Sequence, residues 1–591
     1  MILQALHQYY ERKAADPDAG MPMPGFAWKE IPFVVLLTCD GEFIQLEDTR
    51  NLSGKKLVAT SYMVPKAKSR SGTKGYEKPN VLWDHYGFVF GVPRQGKEGE
   101  EPKEKDIETA SKQHEYFVRQ VEDLAANYPD DDGLRAVARF LSKGDYSAVF
   151  ASPNWSECLK IAGCNLSFRI QGEDHLVCQS RGVRDYVADD SPDVEQTQAV
   201  CLVTGETTAI ARLHPEISGV AQKPAPFAAV NDGVSPAYSS FGKAQGFNFP
   251  VGEEASFKYA TALNHLLRRD SRQRLHVGDT TVVFWAGKRS EFETDLPGFL
   301  SEPDDPDHQT DRIRSLYRSV ESGAYAPDDE SNPFYVLGLA PNSARIAVRF
   351  WEVGTVAQAS RRIVQHFDDL EIARGPNDPP YPSLFRLLVN TATQGKSDNI
   401  PPNLGGEFLR AVIGGNTYPH TLLQAAVRRN RAERRVNYYR AALIKASLNR
   451  RHRTHPLLEK EITVSLDKEN PNIGYRLGRL FAVLEQIQEN AQPGIKATIR
   501  DRYYGSASAS PLSVFSTLLK LKNHHLSKLD SRGLAGYFEN IIGEIMDGIQ
   551  SFPAQLPLNE QGQFAIGYYH QRQDFFTKKE SEPTETQGEQ P

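Results

Sequence analysis

Strand signals vanish from this chain at Gly354, and that loss limits the folds open to it. Before it, short apolar runs of strand length alternate with turn residues. After it, apolar residues recur every three or four positions, the spacing of one helix face. The predicted class is α+β, with an N-terminal mixed α/β region containing antiparallel hairpins over 1–353. A helical region with a basic helix covers 354–463, a C-terminal helical bundle covers 464–576, and the tail 577–591 has no large apolar residue and is expected to be disordered. At 591 residues the chain exceeds one ordinary core, so several domains are expected.

Residues 2–13 read as a helix through Ile2, Leu3, Leu6, Tyr9 and Tyr10. IPFVVLLT and EFIQLED flank Cys39-Asp40-Gly41, a strong hairpin signal. KLVATSYMV predicts a third strand ending at Pro65, and VLWDHYGFVFGV a fourth. Between these two lies KAKSRSGTKGYEKPN, a basic loop on a rigid base that suits phosphate contact, or simply a solvated surface loop. Helices are predicted over 107–127 and 133–142; Asp130, Asp131 and Asp132 before the second read as caps rather than as a catalytic cluster. Residues 165–204 return to strands and turns.

The stretch from Cys201 to Leu267 holds a long segment rich in Gly, Pro, Ser and Asn. Asn231, Ser239, Ser240, Lys243, Gln245 and Asn248, with Gly233, Gly242 and Gly246, suit base edges and phosphates. A structured loop with its polar groups internally satisfied is the alternative. TVVFWAG predicts a buried strand, and PFYVLGLAPNSARIAVRFWEV a hairpin turning at Pro341-Asn342-Ser343. Ile346, Val348 and Phe350 would form its buried face, and Arg345, Arg349 and Trp351 a basic, aromatic one.

Helices follow near 355–373, 382–393, 404–413 and 419–450. Residues 428–453 hold ten Lys or Arg against one acid, Glu433, with Tyr438 and Tyr439 among them, which predicts a surface that tracks a nucleic-acid backbone or an acidic partner. In the bundle, Tyr475, Leu477, Leu480, Phe481, Leu484 and Ile487 make one apolar stripe, and Ser510-Pro511 reads as cap and first turn of a helix over 512–526. Helices over 534–549 and 564–576 complete it, with Lys496, Arg500, Arg502, Lys520, Lys522 and Lys528 expected outside.

Net charge is −6, yet residues 55–78 carry seven bases against Glu77, so charge is segregated. The longest apolar runs fall far short of a membrane span, and five cysteines without a CxxC pair suit reduced cytoplasmic thiols and no metal site. No phosphate-binding loop, dinucleotide fingerprint, HExxH or GxSxG is present. His366 beside Asp368 and Asp369 is the nearest approach to a metal cluster and reads as a surface helix. Neither catalysis nor a cofactor is expected.

MILQALHQYYERK, VPKAKSRSGTKGYEKPNVLWD, CLVTGE…IARLHPEISGV…SSFGKAQGFNFPV…YATALNHLL, TVVFWA, GLAPNSARIAVRFW, LRAVIGGNTYPHTLL and VSLDKENPNIGYRLGRLFAVLEQIQENA together resemble the large subunit of type I-C CRISPR surveillance complexes (Cascade). The resemblance runs through nearly the whole chain in order. It implies a non-catalytic subunit of an RNA-guided antiviral defence ribonucleoprotein, placed where the 5′ end of the guide RNA is held. Such a subunit reads a protospacer-adjacent motif (PAM) in double-stranded DNA, aids duplex opening and R-loop formation, and supports recruitment of a separate helicase–nuclease. The implied partners are the guide RNA with its backbone and 5′-end-binding subunits, target DNA and a small subunit. That small subunit is expected as an internal translation product starting at Val464, if its codon is GTG.

On this reading Lys66, Lys68, Arg70, Ser71 and Lys74 hold the duplex, and Asn231, Ser239, Lys243, Gln245 and Asn248 supply base-edge or wedge contacts. Arg428, Arg431 and Arg435 add backbone contacts. The rival reading is a metal-dependent nuclease or nucleic-acid-remodelling enzyme with a dispersed site, its activity lost on changing Asp368 or Asp131. A third is an assembly subunit that never touches DNA, its basic helix packed on acidic protein or guide RNA.

Overall fold

The computed structural model describes all residues except 17–18, 54–55, 69, 71–73, 95–101, 190–196, 231–242, 302–305, 323–330, 344, 456–459 and 577–591. Two compact units share the chain: Tyr10–Leu213 with Val230–Thr261, and Met1–Tyr9 with His214–Ala229 and Ala262–Pro591. Small, mostly antiparallel sheets interleaved with helices lie before Val356, and among the described residues only helices follow, so the class is α+β as predicted.

The unit containing Tyr10–Leu213 is built on a four-stranded sheet in the order Phe43–Asp48, Phe33–Leu37, Asn165–Ile170, Trp83–His85. Phe33–Leu37 pairs in parallel with Asn165–Ile170; the other pairings are antiparallel. The Asp-Gly hairpin forms where predicted. KLVATSYMV, however, is two strands: at Thr60, whose hydroxyl donates to the Thr49 carbonyl at 2.7 Å, the chain changes partners. Lys56–Ala59 pairs with Arg50–Ser53, and Ser61–Pro65 with Phe26–Glu30. The predicted strand VLWDHYGFVFGV lasts three residues, because His85 Nδ1 accepts from the Gly87 amide at 3.1 Å and caps a helix, Tyr86–Phe90.

The helices Glu104–Asn127 and Asp132–Lys143 cover the sheet, burying Phe117, Val121, Leu134, Val137 and Phe140 against Phe33, Val35 and Phe168. Asp131 caps the second helix through the Leu134 amide at 3.1 Å and also accepts from the Gly182 amide at 3.3 Å. Its role is structural, as read from the sequence.

The other unit contains an antiparallel sheet in the order Arg274–Val277, Thr280–Ala286, Pro333–Asn342, Arg345–Thr355. One face packs on the helices Val356–Leu370, Leu404–Gly414 and those that follow. The alternation predicted for Arg345–Thr355 fails at Val348, which is exposed. A bulge between Gly338 and Leu339 takes the register from Gly338↔Phe350 to Leu339↔Val348, skipping Arg349, and so reverses which residues face inward. Trp351, expected on an open aromatic face, stacks on Tyr335 with centroids 5.5 Å apart and planes 8° from parallel.

In the C-terminal bundle the stripe from Tyr475 to Ile487 is buried throughout. Its helix, Ile473–Ala491, lies against Leu558–Phe576, and Phe515–Leu526 and Arg532–Asp547 close the core. Ser510 makes no side-chain cap; Pro511 begins a single 3-10 turn, and the helix starts at Phe515. Two of the predicted outer bases turn inward. Arg500 is half-buried with Nε 3.7 Å from buried Glu485, and Lys522 pairs with Glu539 at 2.9 Å. Glu485 also accepts the hydroxyls of Thr498 and Tyr568, each at 2.6 Å.

Candidate nucleic-acid interface

The basic loop leaves the strand Ser61–Pro65 and returns to Trp83–His85, and one ion pair closes its base. Asp84 is buried; its carboxylate accepts both terminal nitrogens of Arg70, one at 3.0 Å, and the backbone amides of Asn80 and His85 at 2.9 Å each. Arg70 Nε donates to the Lys78 carbonyl at 2.9 Å, and its guanidinium lies 4.0 Å from the Phe88 ring centroid. Asn80 Oδ1 accepts the Lys68 amide at 3.0 Å. Arg70, read from the sequence as a duplex contact, therefore spends its donors holding the loop together. Lys66 and Lys74 are exposed, Lys74 with its ammonium 3.5 Å from Glu77. Ser71 lies outside the described residues, as do Asn231, Ser239, Ser240, Gly233 and Gly242.

Beside the loop runs a helix face that the sequence reading did not single out. Lys112, Tyr116, Arg119 and Gln120 follow at helical spacing in Glu104–Asn127. Tyr116 meets Tyr76 of the loop with centroids 5.9 Å apart; Lys112 lies 5.7 Å from the Tyr76 ring and Arg119 5.9 Å from the Tyr116 ring. The Lys112-Tyr116-Arg119 spacing was visible in the sequence. That it faces the basic loop is a tertiary fact.

The central stretch is pinned at both ends. The Leu202 amide donates to Pro250 O and the Ala211 amide to Val251 O, both at 2.9 Å, while Cys201 Sγ accepts the Gly252 amide at 3.2 Å and the Val203 amide at 3.4 Å. Burial opposes the thiolate, but the Gly252, Thr204 and Val203 amides with the Thr204 hydroxyl together lower the Cys201 pKa. Gly246 donates its amide to Arg212 O at 2.9 Å, and a Cβ there would stand 2.7 Å from that oxygen. Gln245 adopts a positive φ of 44° and accepts from the Arg212 guanidinium. Asn248 Nδ2 donates to Lys243 O and Gln245 O at 2.9 Å each, so its amide hydrogens shape the turn. Lys243 is exposed. Asn248→Ala is expected to cost the turn about 1–2 kcal/mol and to speed amide exchange over 243–249 about tenfold. Unchanged exchange would show that the turn holds without that side chain.

The predicted basic helix over 419–450 is two helices. Arg434 takes a left-handed conformation (φ 52°) and ends His420–Glu433; Tyr438–Thr454 follows, capped by Asn437. Arg428, Arg431 and Arg435 are exposed, as an interface requires. The second helix is a core element. Arg440 pairs with Glu433, Arg450 Nε donates to Asp369 Oδ2 at 2.6 Å, and Lys445 donates to Asp369 O at 3.1 Å, all three cations being buried. The part of the 428–453 surface that falls in this second helix is thus largely interior, because its counter-ions lie on other elements.

The same pairing corrects the reading of residues 366–369. His366 and Asp369 are buried, not on a surface helix. His366 Nδ1 meets the Tyr418 hydroxyl, and burial, with Arg450 nearby, holds the imidazole pKa well below its usual value. Asp368 accepts from the Tyr317 hydroxyl at 2.7 Å. Among the described residues, no three His, Cys, Asp or Glu side chains are grouped so as to hold a metal ion, and no helix is long and apolar enough to cross a membrane.

A family model described as "CRISPR-associated protein (Cas_Csd1)" matches residues 6–576. No curated protein matches the chain.

Proposed function

The chain belongs to the Cas_Csd1 family of CRISPR-associated proteins, which makes it a subunit of Cascade type, and from that premise we propose that it is the large subunit of a type I-C complex that reads the PAM in double-stranded DNA. The observation that carries this reading is the braced basic loop: Arg70 and Asp84 fix its base while Lys66 and Lys74 stand in solvent. Phosphate contacts of that kind set register; the turn that Asn248 closes presents Lys243 and Gln245 as the polar groups for base edges. Duplex opening and recruitment of a helicase–nuclease follow from the same role, and the subunit itself is non-catalytic. Its small partner is the internal product beginning at Val464.

The test assembles the chain with its guide RNA and neighbouring subunits and varies the three base pairs flanking the target. Affinity is expected to change strongly with the flank, and Gln245→Ala to relax that preference by about 1–3 kcal/mol. Lys66→Ala should weaken all duplexes alike and lower the salt slope by about 1. Affinity indifferent to the flank would make the subunit a non-specific clamp or a scaffold.

A further inference from the structure

Between the basic loop and the helix Glu104–Asn127 lies a cleft of about 240 Å³ whose chemistry differs from that of a phosphate-holding surface. Lys68 and Lys78 come from the loop, Tyr116, Arg119 and Gln120 from the helix, and Tyr186 from the helix Arg181–Asp189. Lys78 and Arg119 are exposed, so positive charge reaches solvent. Deeper groups are of another kind. Gln120 Oε1 is buried and accepts no hydrogen bond among the described residues. An amide oxygen so placed leaves a desolvated acceptor without a donor, an arrangement that costs free energy unless something supplies an N–H.

Two carboxylates, Glu77 and Asp123, also line the cleft. They disfavour a phosphate or any other anion inside it and add acceptors for N–H groups. Tyr116 supplies an aromatic surface, already paired with Tyr76 and approached by Arg119. An occupant must therefore be flat, rich in N–H donors, and attached to negative charge that stays outside. The volume lies below that of ordinary small-molecule sites and leaves room for one ring system, not a base pair.

We propose that this cleft receives the base of a single unpaired nucleotide from a strand whose phosphates lie on the adjacent lysines. Its ring stacks against Tyr116, and its N–H groups donate to Gln120 Oε1 and the carboxylates. Guanine fits best, since N1–H and the 2-amino group lie on one edge facing acceptors; thymine, with a single N–H, fits worst. The inference rests on the reading that the basic loop holds duplex DNA, and it adds a nucleotide subsite to that loop.

The test uses the full chain and three duplexes: fully paired, with one bulged guanine, and with one bulged thymine. A fourth duplex carries a bulged 2-aminopurine, whose fluorescence stacking quenches. The bulged guanine is expected to bind about tenfold tighter than the paired duplex and tighter than the bulged thymine, with 2-aminopurine quenched. Gln120→Leu and Tyr116→Ala should each bring the ratio of bulged to paired affinity to one, whatever they do to the paired duplex; Tyr116→Phe should keep the ratio. Lys66→Glu with Lys74→Glu should weaken every duplex. If bulged and paired DNA bind equally while the lysine reversals still weaken both, the cleft proposal falls and the duplex-holding function stands. If the bulge preference survives but the reversals change nothing, the cleft stands and the duplex-holding function falls. Binding of free dGMP with no preference for bulged DNA, or loss of subunit assembly in Gln120→Leu without any nucleotide effect, would assign the cleft to another occupant and overturn the proposal.

Discussion

Asp84→Ala is expected to destabilise the base of the basic loop by about 2–3 kcal/mol, the cost of taking a buried acceptor from a partly exposed guanidinium and two amides. The carboxylate is buried and serves four donors: two nitrogens of Arg70 and the amides of Asn80 and His85. Its loss leaves the guanidinium of Arg70, held between Phe88 and the Lys78 carbonyl, without a counter-charge. Amide exchange should rise sharply across 66–85 and stay unchanged in the bundle. Arg70→Gln separates the brace from a direct DNA contact. As a brace, its loss raises exchange in the loop and weakens duplex binding without changing the salt slope. As a phosphate ligand, its loss would lower that slope by about 1 and leave exchange alone.

What could be read in the sequence was what adjacent residues decide. The Asp40-Gly41 turn and the Asp131 cap need no information from outside their own segments, and both form as predicted. The buried strand Thr280–Ala286 was legible because seven apolar or small residues in a row leave no solvent face. Where the reading failed, a distant partner decided. The arginines of 428–453 look alike in sequence, but Arg450 faces Asp369, 81 positions away, and Arg440 faces Glu433 across a break at Arg434. The bulge leaves Arg349 without a partner on Pro333–Asn342, a fact of the pairing and not of the alternation, so nothing in the pattern of Arg345–Thr355 announces that Val348 turns outward. Likewise the basic loop was conspicuous by its charge, while the cleft beside it depends on Tyr116, Arg119 and Gln120 of a helix whose surface otherwise reads as ordinary. One miss was local: Nδ1 of His85 caps the helix Tyr86–Phe90 from two residues before Gly87, a cap hidden in an apolar run.

The bundle gives the sharpest contrast between local preference and tertiary demand. Gly478 sits inside Ile473–Ala491, and Gly567 inside Leu558–Phe576, positions where glycine costs an isolated helix about 1 kcal/mol relative to alanine. A Cβ on Gly478 would overlap the Phe564 carbonyl oxygen and stand 2.7 Å from the Tyr568 nitrogen. One on Gly567 would overlap the Tyr475 carbonyl oxygen and stand 2.8 Å from its carbon. The obstacles are backbone atoms on the facing helix, which no rotamer change relieves, so the two helices must move apart and loosen the core of Leu480, Phe481 and Phe564 between them. Gly478→Ala is expected to cost about 3 kcal/mol or more, the upper end of overpacking, although it raises helix propensity. Gly543→Ala is the control: it lies in Arg532–Asp547 with nothing within 4 Å of its Cβ, and it should stabilise by about 0.4–1 kcal/mol. Thermal unfolding of the two variants should therefore shift in opposite directions; a shared direction would mean that the helices are not in backbone contact. The same comparison bears on the product proposed to begin at Val464. It contains both glycines, so its own melting should respond to Gly478→Ala in the same sense. Yet Tyr475, Ala565, Ile566 and Tyr569 bury themselves in the full chain against a core shared with Leu422, Ala441 and Ile444. A free product exposes that face, and it should melt below the bundle of the full chain even with both glycines intact.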